Sequence, residues 1–150
     1  DYVIGSVVNA ETTPMKDVAL LKLARVAPTG YVPALIPNDQ QTLKVGDKVT
    51  LAGFGLTNGI MGVSAKSLNK VDVTVHNPTL SDTQFSYVTV QGQTACSGDS
   101  GGPAYIRDGN GKLVVVGVTS WGDYQCVEMG VYSSVSKFKE WILLSQKSMM

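Results

Sequence analysis

Ser100 lies in a glycine-rich stretch, Cys96-Ser97-Gly98-Asp99-Ser100-Gly101-Gly102-Pro103, with an acid directly before it and two glycines directly after it. Glycines on both sides allow backbone conformations that a Cβ would forbid, so successive N–H groups can point into one small volume. Such a turn suits a hydroxyl nucleophile, because those N–H groups would stabilise the negative oxygen formed when it attacks a carbonyl. A Gly-rich turn with an incidental serine is the alternative, which the length of the pattern disfavours.

Three further segments accompany this turn in a consistent order. They are Asp17-Val18-Ala19-Leu20-Leu21-Lys22-Leu23, Gly53-Phe54-Gly55-Leu56-Thr57, and Val118-Thr119-Ser120-Trp121-Gly122 followed by Gly130-Val131-Tyr132. Together with the serine turn they resemble the chymotrypsin-like (trypsin-fold) serine proteases, and the resemblance extends over nearly the whole chain. It implies an all-β fold of antiparallel Greek-key β-barrels with a C-terminal helix. It also implies that the protein is an enzyme, a serine endopeptidase that works through an acyl-enzyme.

The resemblance assigns roles to individual residues. Ser100 would be the nucleophile, Asp17 would orient the catalytic histidine, and the N–H groups of Gly98 and Ser100 would form the oxyanion hole. Asp17 heads an apolar strand, so we expect it to be drawn toward the core and hydrogen-bonded there; an exposed turn aspartate is the alternative. Asp99 would pair with an N-terminal ammonium freed by activation cleavage, although no matching N-terminus occurs in this sequence.

The histidine of the triad is missing from its expected place. The family order is His, Asp, Ser, and no histidine precedes Asp17. The single histidine, His76, follows a predicted strand and is interpreted as an ordinary surface residue. The chain is therefore one piece of a two-chain enzyme, a truncated product, or an inactive homologue that acts as a protein-binding module. The intact nucleophile turn favours the first of these.

The resemblance also locates a substrate pocket, with Thr94 at its floor, Ala95 beside it, and Gly122 and Gly130 in its walls. Thr94 is neutral, so a buried substrate cation would lack a partner. Glycine walls would leave a deep slot. The predicted preference is therefore for an apolar residue, large or aromatic, before the scissile bond.

Two further features bear on substrate binding. A charged pocket rim supplied by Asp123 or Glu128 is the second interpretation of specificity. Ser120, Trp121 and Gly122 are expected to pair with the substrate backbone as an added strand.

Cys96 and Cys126 lie about 30 residues apart. From the residues alone they are either bridged or two buried free thiols. The resemblance implies a bridge between the nucleophile loop and the pocket wall, which would contribute about 3–4 kcal/mol on the chain-entropy model. A bridge implies an oxidising compartment, so we expect a secreted or extracellular protein, or a periplasmic one.

Composition limits the partners. The net charge is zero with 16% charged residues, so neither nucleic acid nor a membrane surface is an expected partner. No apolar run approaches the roughly 20 residues of a spanning helix. The expected partners are a peptide or protein substrate, an N-terminal protease segment carrying the histidine, and protein inhibitors. No cofactor or metal is expected.

The sequence pattern and the resemblance together divide the chain into four regions. Residues 1–27 hold two apolar runs, Tyr2–Val8 and Val18–Val26, which the resemblance assigns to the end of an N-terminal barrel. Residues 28–46 are rich in proline and glycine, and the resemblance implies that they form the inter-barrel linker. Residues 47–135 carry short alternating strands of a C-terminal barrel, and 136–150 form a helix and tail, with Ser136 as its cap.

The pattern predicts five strands in that barrel and one amphipathic helix. The strands are Lys48–Phe54, Val71–Val75, Phe85–Val90, Leu113–Trp121 and Val131–Val135, and Phe138, Trp141 and Ile142 share one helix face.

Overall fold

The computed structural model describes residues 4–9, 16–89 and 91–149. In these ranges the chain forms ten strands and one helix: β1 (Ile4–Asn9), β2 (Ala19–Leu23), β3 (Lys48–Gly53), β4 (Leu56–Asn58), β5 (Val63–Ser64), β6 (Asn69–Asn77), β7 (Gln84–Val88), β8 (Pro103–Arg107), β9 (Leu113–Gly122), β10 (Met129–Ser134) and α1 (Val135–Met149).

Six of these strands close into an antiparallel barrel in the order β10-β7-β6-β3-β8-β9, with β10 also paired to β9. Strands β1 and β2 pair separately, and β4 pairs with β5. The prediction of an all-β fold with an antiparallel barrel and a C-terminal helix is confirmed.

Alternation along the strands builds the barrel interior. On β3, Val49 and Leu51 are buried, whereas Lys48, the first residue of the strand, is exposed. Val73 and Val75 repeat this pattern on the neighbouring β6. Because successive side chains of a strand point to opposite faces, one face of each strand fills the interior. The buried cluster is completed by Phe85, Tyr87, Ala104, Val114, Val116 and Tyr132.

A second apolar cluster lies between α1 and the outer face of the barrel. Val135, Phe138 and Ile142 are its buried members, and Trp141 packs against them from the same helix. Val18, Leu20, Ile36, Val115 and Val118 contribute from the rest of the chain. The predicted helix face is confirmed. Among the described residues, no helix is long and apolar enough to cross a membrane.

The helix begins earlier than the sequence suggested. It starts at Val135, so Ser136 lies inside its first turn, and Ser134 is the residue that precedes it. The Ser134 and Ser136 hydroxyl groups hydrogen-bond to each other at 3.1 Å. The cap assignment to Ser136 is therefore wrong, because Val135 already has helical geometry.

The five predicted barrel strands are present with ends shifted by a few residues. Three strands were not predicted: β4 and β5 are very short, and β8 begins at Pro103. A proline is tolerated at the first residue of a strand because its missing N–H is not needed there. Tyr2, Val3, residues 10–15 of the predicted first loop, and Val90 lie outside the described residues.

Candidate active site

Ser100 lies exposed in the turn between β7 and β8. The glycines around it adopt left-handed backbone angles, with φ of 96° at Gly98 and 78° at Gly101. The N–H groups of Asp99 and Gly101 donate to the carbonyls of Cys96 and Thr119 at 2.9 and 3.0 Å. Within the described ranges, the N–H groups of Gly98 and Ser100 donate to no acceptor. Two unpaired donors therefore flank an exposed hydroxyl, which suits a developing oxyanion.

Asp99 points away from that hydroxyl and into the body of the protein. Its Oδ1 accepts a hydrogen bond from the Gly55 N–H at 2.7 Å, and its Oδ2 accepts one from the Cys96 N–H at 2.9 Å. The two glycines of the Gly53-Phe54-Gly55 motif make room for this carboxylate, because a Cβ on Gly53 or Gly55 would come within 2.8 or 2.5 Å of the Asp99 Cγ. The lack of side chains at Gly53 and Gly55 therefore allows the Asp99 carboxylate to occupy this position.

A cavity of about 480 Å³ opens beside the Asp99 carboxylate. Thr94 and Ala95 from the nucleophile loop line it, together with residues of β3 and of the 55–60 segment. It faces a different side of the loop from Ser100, which is not part of its lining.

Asp17 is held beside the nucleophile turn by two serines. Its Oδ2 accepts a hydrogen bond from the Ser120 hydroxyl at 2.8 Å, and its backbone carbonyl accepts one from the Ser133 hydroxyl at 2.9 Å. Ser120 and Ser100 line the same pocket, so Asp17 is linked to that pocket through the Ser120 hydroxyl. Asp17 is exposed rather than drawn into the core, in contrast to the expectation from its apolar neighbours.

Cys96 and Cys126 form a disulfide, with their Cα atoms 5.4 Å apart. The bridge joins the nucleophile loop to the segment between β9 and β10. The predicted pairing is confirmed, and neither cysteine is free.

A pocket of about 230 Å³ opens beside Ser100. Five of the residues predicted to bind substrate line it, namely Ala95, Ser120, Trp121, Gly122 and Gly130. Thr94 does not line it and instead faces the larger cavity. Besides Ser100, the other lining residues are Tyr87, Cys96, Ser97, Thr119, Asp123, Tyr124, Cys126 and Tyr132.

Tyr87 is one of the lining residues that the sequence did not predict. It is fully buried, and its hydroxyl shares a hydrogen bond with the Thr94 hydroxyl at 2.5 Å and accepts one from the Ala95 N–H at 3.2 Å. Burial raises the pKa of the phenol, and the hydrogen bonds with Thr94 and Ala95 oppose that rise only in part. Tyr87 is therefore neutral. Tyr87 lies in a predicted strand, and an aromatic residue at an alternating position of a strand indicates core packing rather than a binding site.

Asp123 lies at the rim, but the backbone of its own loop uses its carboxylate. Oδ2 accepts a hydrogen bond from Val127 N–H at 2.9 Å, and Oδ1 accepts bonds from Glu128 and Met129 N–H at 3.1 and 3.0 Å. Desolvation acts to raise the pKa of Asp123, but these bonds outweigh it and the pKa falls below its ordinary value. Glu128 does not line the pocket.

One edge of the Ser120–Gly122 segment is open. On one side Trp121 and Gly122 pair with Val131 and Gly130 of β10. On the other side the pairing with β8 and its preceding loop ends at Thr119 among the described residues. An extended peptide could add there as a strand.

His76 is exposed on β6, at an irregularity in its pairing with β7. It does not line the pocket beside Ser100, in agreement with its interpretation as a surface residue. Among the described residues, no group of three or more His, Cys, Asp or Glu side chains could hold a metal ion.

The Trypsin family model matches residues 1–142 of this chain. The chain belongs to the trypsin family. It is 33% identical to a protein named Trypsin from Phaedon cochleariae, over 87% of this chain and 55% of that relative. It is 36% identical to Phenoloxidase-activating enzyme 1 from Spodoptera litura, over 84% of this chain and 37% of the relative. It is 32% identical to CLIP domain-containing serine protease B15 from Anopheles gambiae, over 95% of this chain and 45% of the relative.

The chain therefore spans about half or less of the length of these relatives. It is a portion of a trypsin domain related to serine proteases, and it contains the closed barrel, the serine turn and the disulfide of that portion.

Proposed function

We propose that this chain carries the nucleophile and the substrate pocket of a serine endopeptidase whose catalytic histidine belongs to a segment outside it. The single observation that carries the proposal is the turn at Ser100. An exposed hydroxyl is flanked there by the N–H groups of Gly98 and Ser100, which have no acceptor among the described residues. Asp17 accepts a hydrogen bond at 2.8 Å from the hydroxyl of Ser120, which lines the same pocket as Ser100, and it would orient the histidine.

In the proposed reaction the Ser100 Oγ attacks the peptide carbonyl while the histidine takes its proton. The two N–H groups stabilise the oxyanion, and the histidine then passes the proton to the leaving amine. Water releases the acyl group from Ser100 by the same route. The open edge at Ser120–Gly122 would align the substrate backbone during these steps.

The 480 Å³ cavity supports a role for Asp99 in activation. An N-terminal ammonium freed by cleavage would enter this cavity and pair with the Asp99 carboxylate. The carboxylate is already turned toward the cavity by its bonds from Gly55 and Cys96 N–H. The disulfide supports an oxidising, extracellular location.

The lining of the 230 Å³ pocket supports an apolar residue before the scissile bond. Among the described residues, Asp123 supplies the only carboxylate of its lining, and three N–H groups of its own loop bind that carboxylate, so it is not free to receive a buried cation. Whether that residue is large or aromatic, as the sequence suggested, depends on the depth of the pocket.

The test is covalent labelling of the full-length protein by an organophosphonate, followed by intact mass and peptide mapping. We expect one label, on Ser100, and none in a Ser100→Ala variant. Ser67→Ala is the matched control, because Ser67 is an exposed serine that lines neither pocket and should leave labelling unchanged. Peptide hydrolysis should fall on the order of 10⁶-fold in the Ser100→Ala variant.

Absence of labelling in correctly folded, activated protein would contradict the proposal. It would favour the second candidate, an inactive protease homologue that binds proteins. Labelling at a serine other than Ser100 would contradict the assignment of the nucleophile.

A further inference from the structure

The pocket beside Ser100 is smaller than its glycine walls suggest. Its volume of about 230 Å³ lies below the roughly 300–1,000 Å³ of ordinary ligand pockets. Gly122 and Gly130 contribute no side chains to it. The space in front of Gly130 is nevertheless filled, because the phenol of Tyr87 stands there.

The pairing of two strands puts Tyr87 in this position. Gly130 of β10 and Tyr87 of β7 are directly opposite each other, so their side-chain directions point to the same face of the sheet. A Cβ on Gly130 would meet the Tyr87 hydroxyl and would lie 2.5 Å from its Cζ. The glycine therefore leaves a space that the tyrosine from the next strand takes up.

Tyr87 is held too firmly to swing away when a substrate arrives. It is 0% exposed, its hydroxyl bonds to the Thr94 hydroxyl and the Ala95 N–H, and its ring packs edge-on against Tyr132 at 5.7 Å. Leaving this position would break both hydrogen bonds inside a packed interior. Thr94, the predicted floor, is hydrogen-bonded to the phenol hydroxyl and lies outside the lining of the pocket.

We propose that Tyr87 closes the inner end of the pocket and restricts the residue before the scissile bond to short apolar side chains, such as alanine or valine. This inference rests on the proposed function and refines its specificity. A longer side chain would meet the phenol instead of an open slot. The neutral hydroxyl behind the ring also gives a substrate cation no partner.

The experiment uses the activated full-length protein and a panel of peptides that differ only before the scissile bond, with alanine, valine, leucine, phenylalanine or arginine there. A difference of one methylene in an apolar pocket changes kcat/KM by about 10–200-fold. We therefore expect the wild type to cleave after alanine or valine at least about tenfold faster than after phenylalanine.

Two variants separate the ring from the hydroxyl. Valine is favoured in β-strands, and the Tyr87→Val substitution removes the ring from the inner end of the pocket. We therefore expect the ratio of kcat/KM for the phenylalanine peptide to that for the alanine peptide to rise at least about tenfold. Tyr87→Phe keeps the ring and is the matched control, and its ratio should stay within about threefold of the wild type. Near-UV circular dichroism checks that each variant is folded.

The outcomes separate this inference from the proposed function. If the wild type cleaves faster after phenylalanine than after alanine or valine, the inference about Tyr87 is wrong but the protein is still a protease. This result tests the inference even if the Tyr87→Val variant does not fold. If no peptide is cleaved and Ser100 is not labelled, the proposed function fails instead. Calorimetric titration with indole then tests the pocket. Saturable binding of indole to the Tyr87→Val variant but not to the wild type would support the closure of the pocket by Tyr87. The same indole binding in both proteins would overturn the inference.

Discussion

Replacement of Gly130 by alanine should destabilise the barrel, because the space for a Cβ is already occupied. The added methyl carbon would lie 2.5 Å from the Tyr87 Cζ and 2.6 Å from its Cε1. Tyr87 is fully buried and hydrogen-bonded, so it cannot move aside freely. Overpacking of this kind costs about 1–3 kcal/mol, while the stiffer unfolded chain returns about 0.4–1 kcal/mol, for a net loss of about 0–2.6 kcal/mol.

Gly109→Ala is the matched control. Gly109 has no atom within 4 Å of an added Cβ and does not adopt a left-handed backbone angle. The same substitution there should leave stability unchanged or raise it by up to about 1 kcal/mol. The comparison therefore isolates the crowding at Gly130 from the general effect of replacing glycine.

Urea unfolding of the full-length protein, followed by tryptophan fluorescence, measures both variants. Trp121 is a suitable reporter because it pairs with Val131, the neighbour of Gly130. The crowding also predicts a double-mutant cycle: in a Tyr87→Val background, Gly130→Ala should lose most of its effect, with a coupling of about 0.5–3 kcal/mol. A Gly130→Ala variant as stable as Gly109→Ala, or a cycle with no coupling, would refute the reasoning.

Two other predictions concern the loops around the site. Replacing both cysteines by serine removes a bridge that closes a separation of 30 residues, so the free energy of unfolding should fall by about 3.6 kcal/mol on the chain-entropy model. Urea unfolding measures this, and a loss below about 1 kcal/mol would contradict the entropic account. Asp123→Asn should destabilise the 123–129 loop near neutral pH, by at most about 1 kcal/mol because the carboxylate is largely solvated. Its folded pKa lies below the ordinary value of 3.8, so its contribution is present above pH 3.8 and is lost as the pH falls through the folded value. The difference between wild type and variant should therefore shrink at low pH, and a difference that does not vary with pH would exclude this role for the carboxylate.

The local patterns of the sequence were enough to predict the class of the fold. Val49 and Leu51, or Val73 and Val75, alternate with polar neighbours, and the buried face of each strand follows from that period of two. The ends of elements were less certain. Helix α1 begins at Val135 rather than after Ser136, because either serine side chain could precede a helix of this composition.

The sequence by itself determined the serine turn and the aspartate at the head of a strand, and its resemblance to the serine proteases implied the bridge between the cysteines and the glycines of the pocket wall. These features are recognised from residue types in short stretches, without knowing which strands are neighbours. Tertiary structure alone decided that Asp99 occupies the notch between Gly53 and Gly55, and that Tyr87 fills the space in front of Gly130. Both depend on the pairing of strands far apart in the chain, where the absence of one side chain makes room for another. No local sequence pattern indicates which residue will occupy that space.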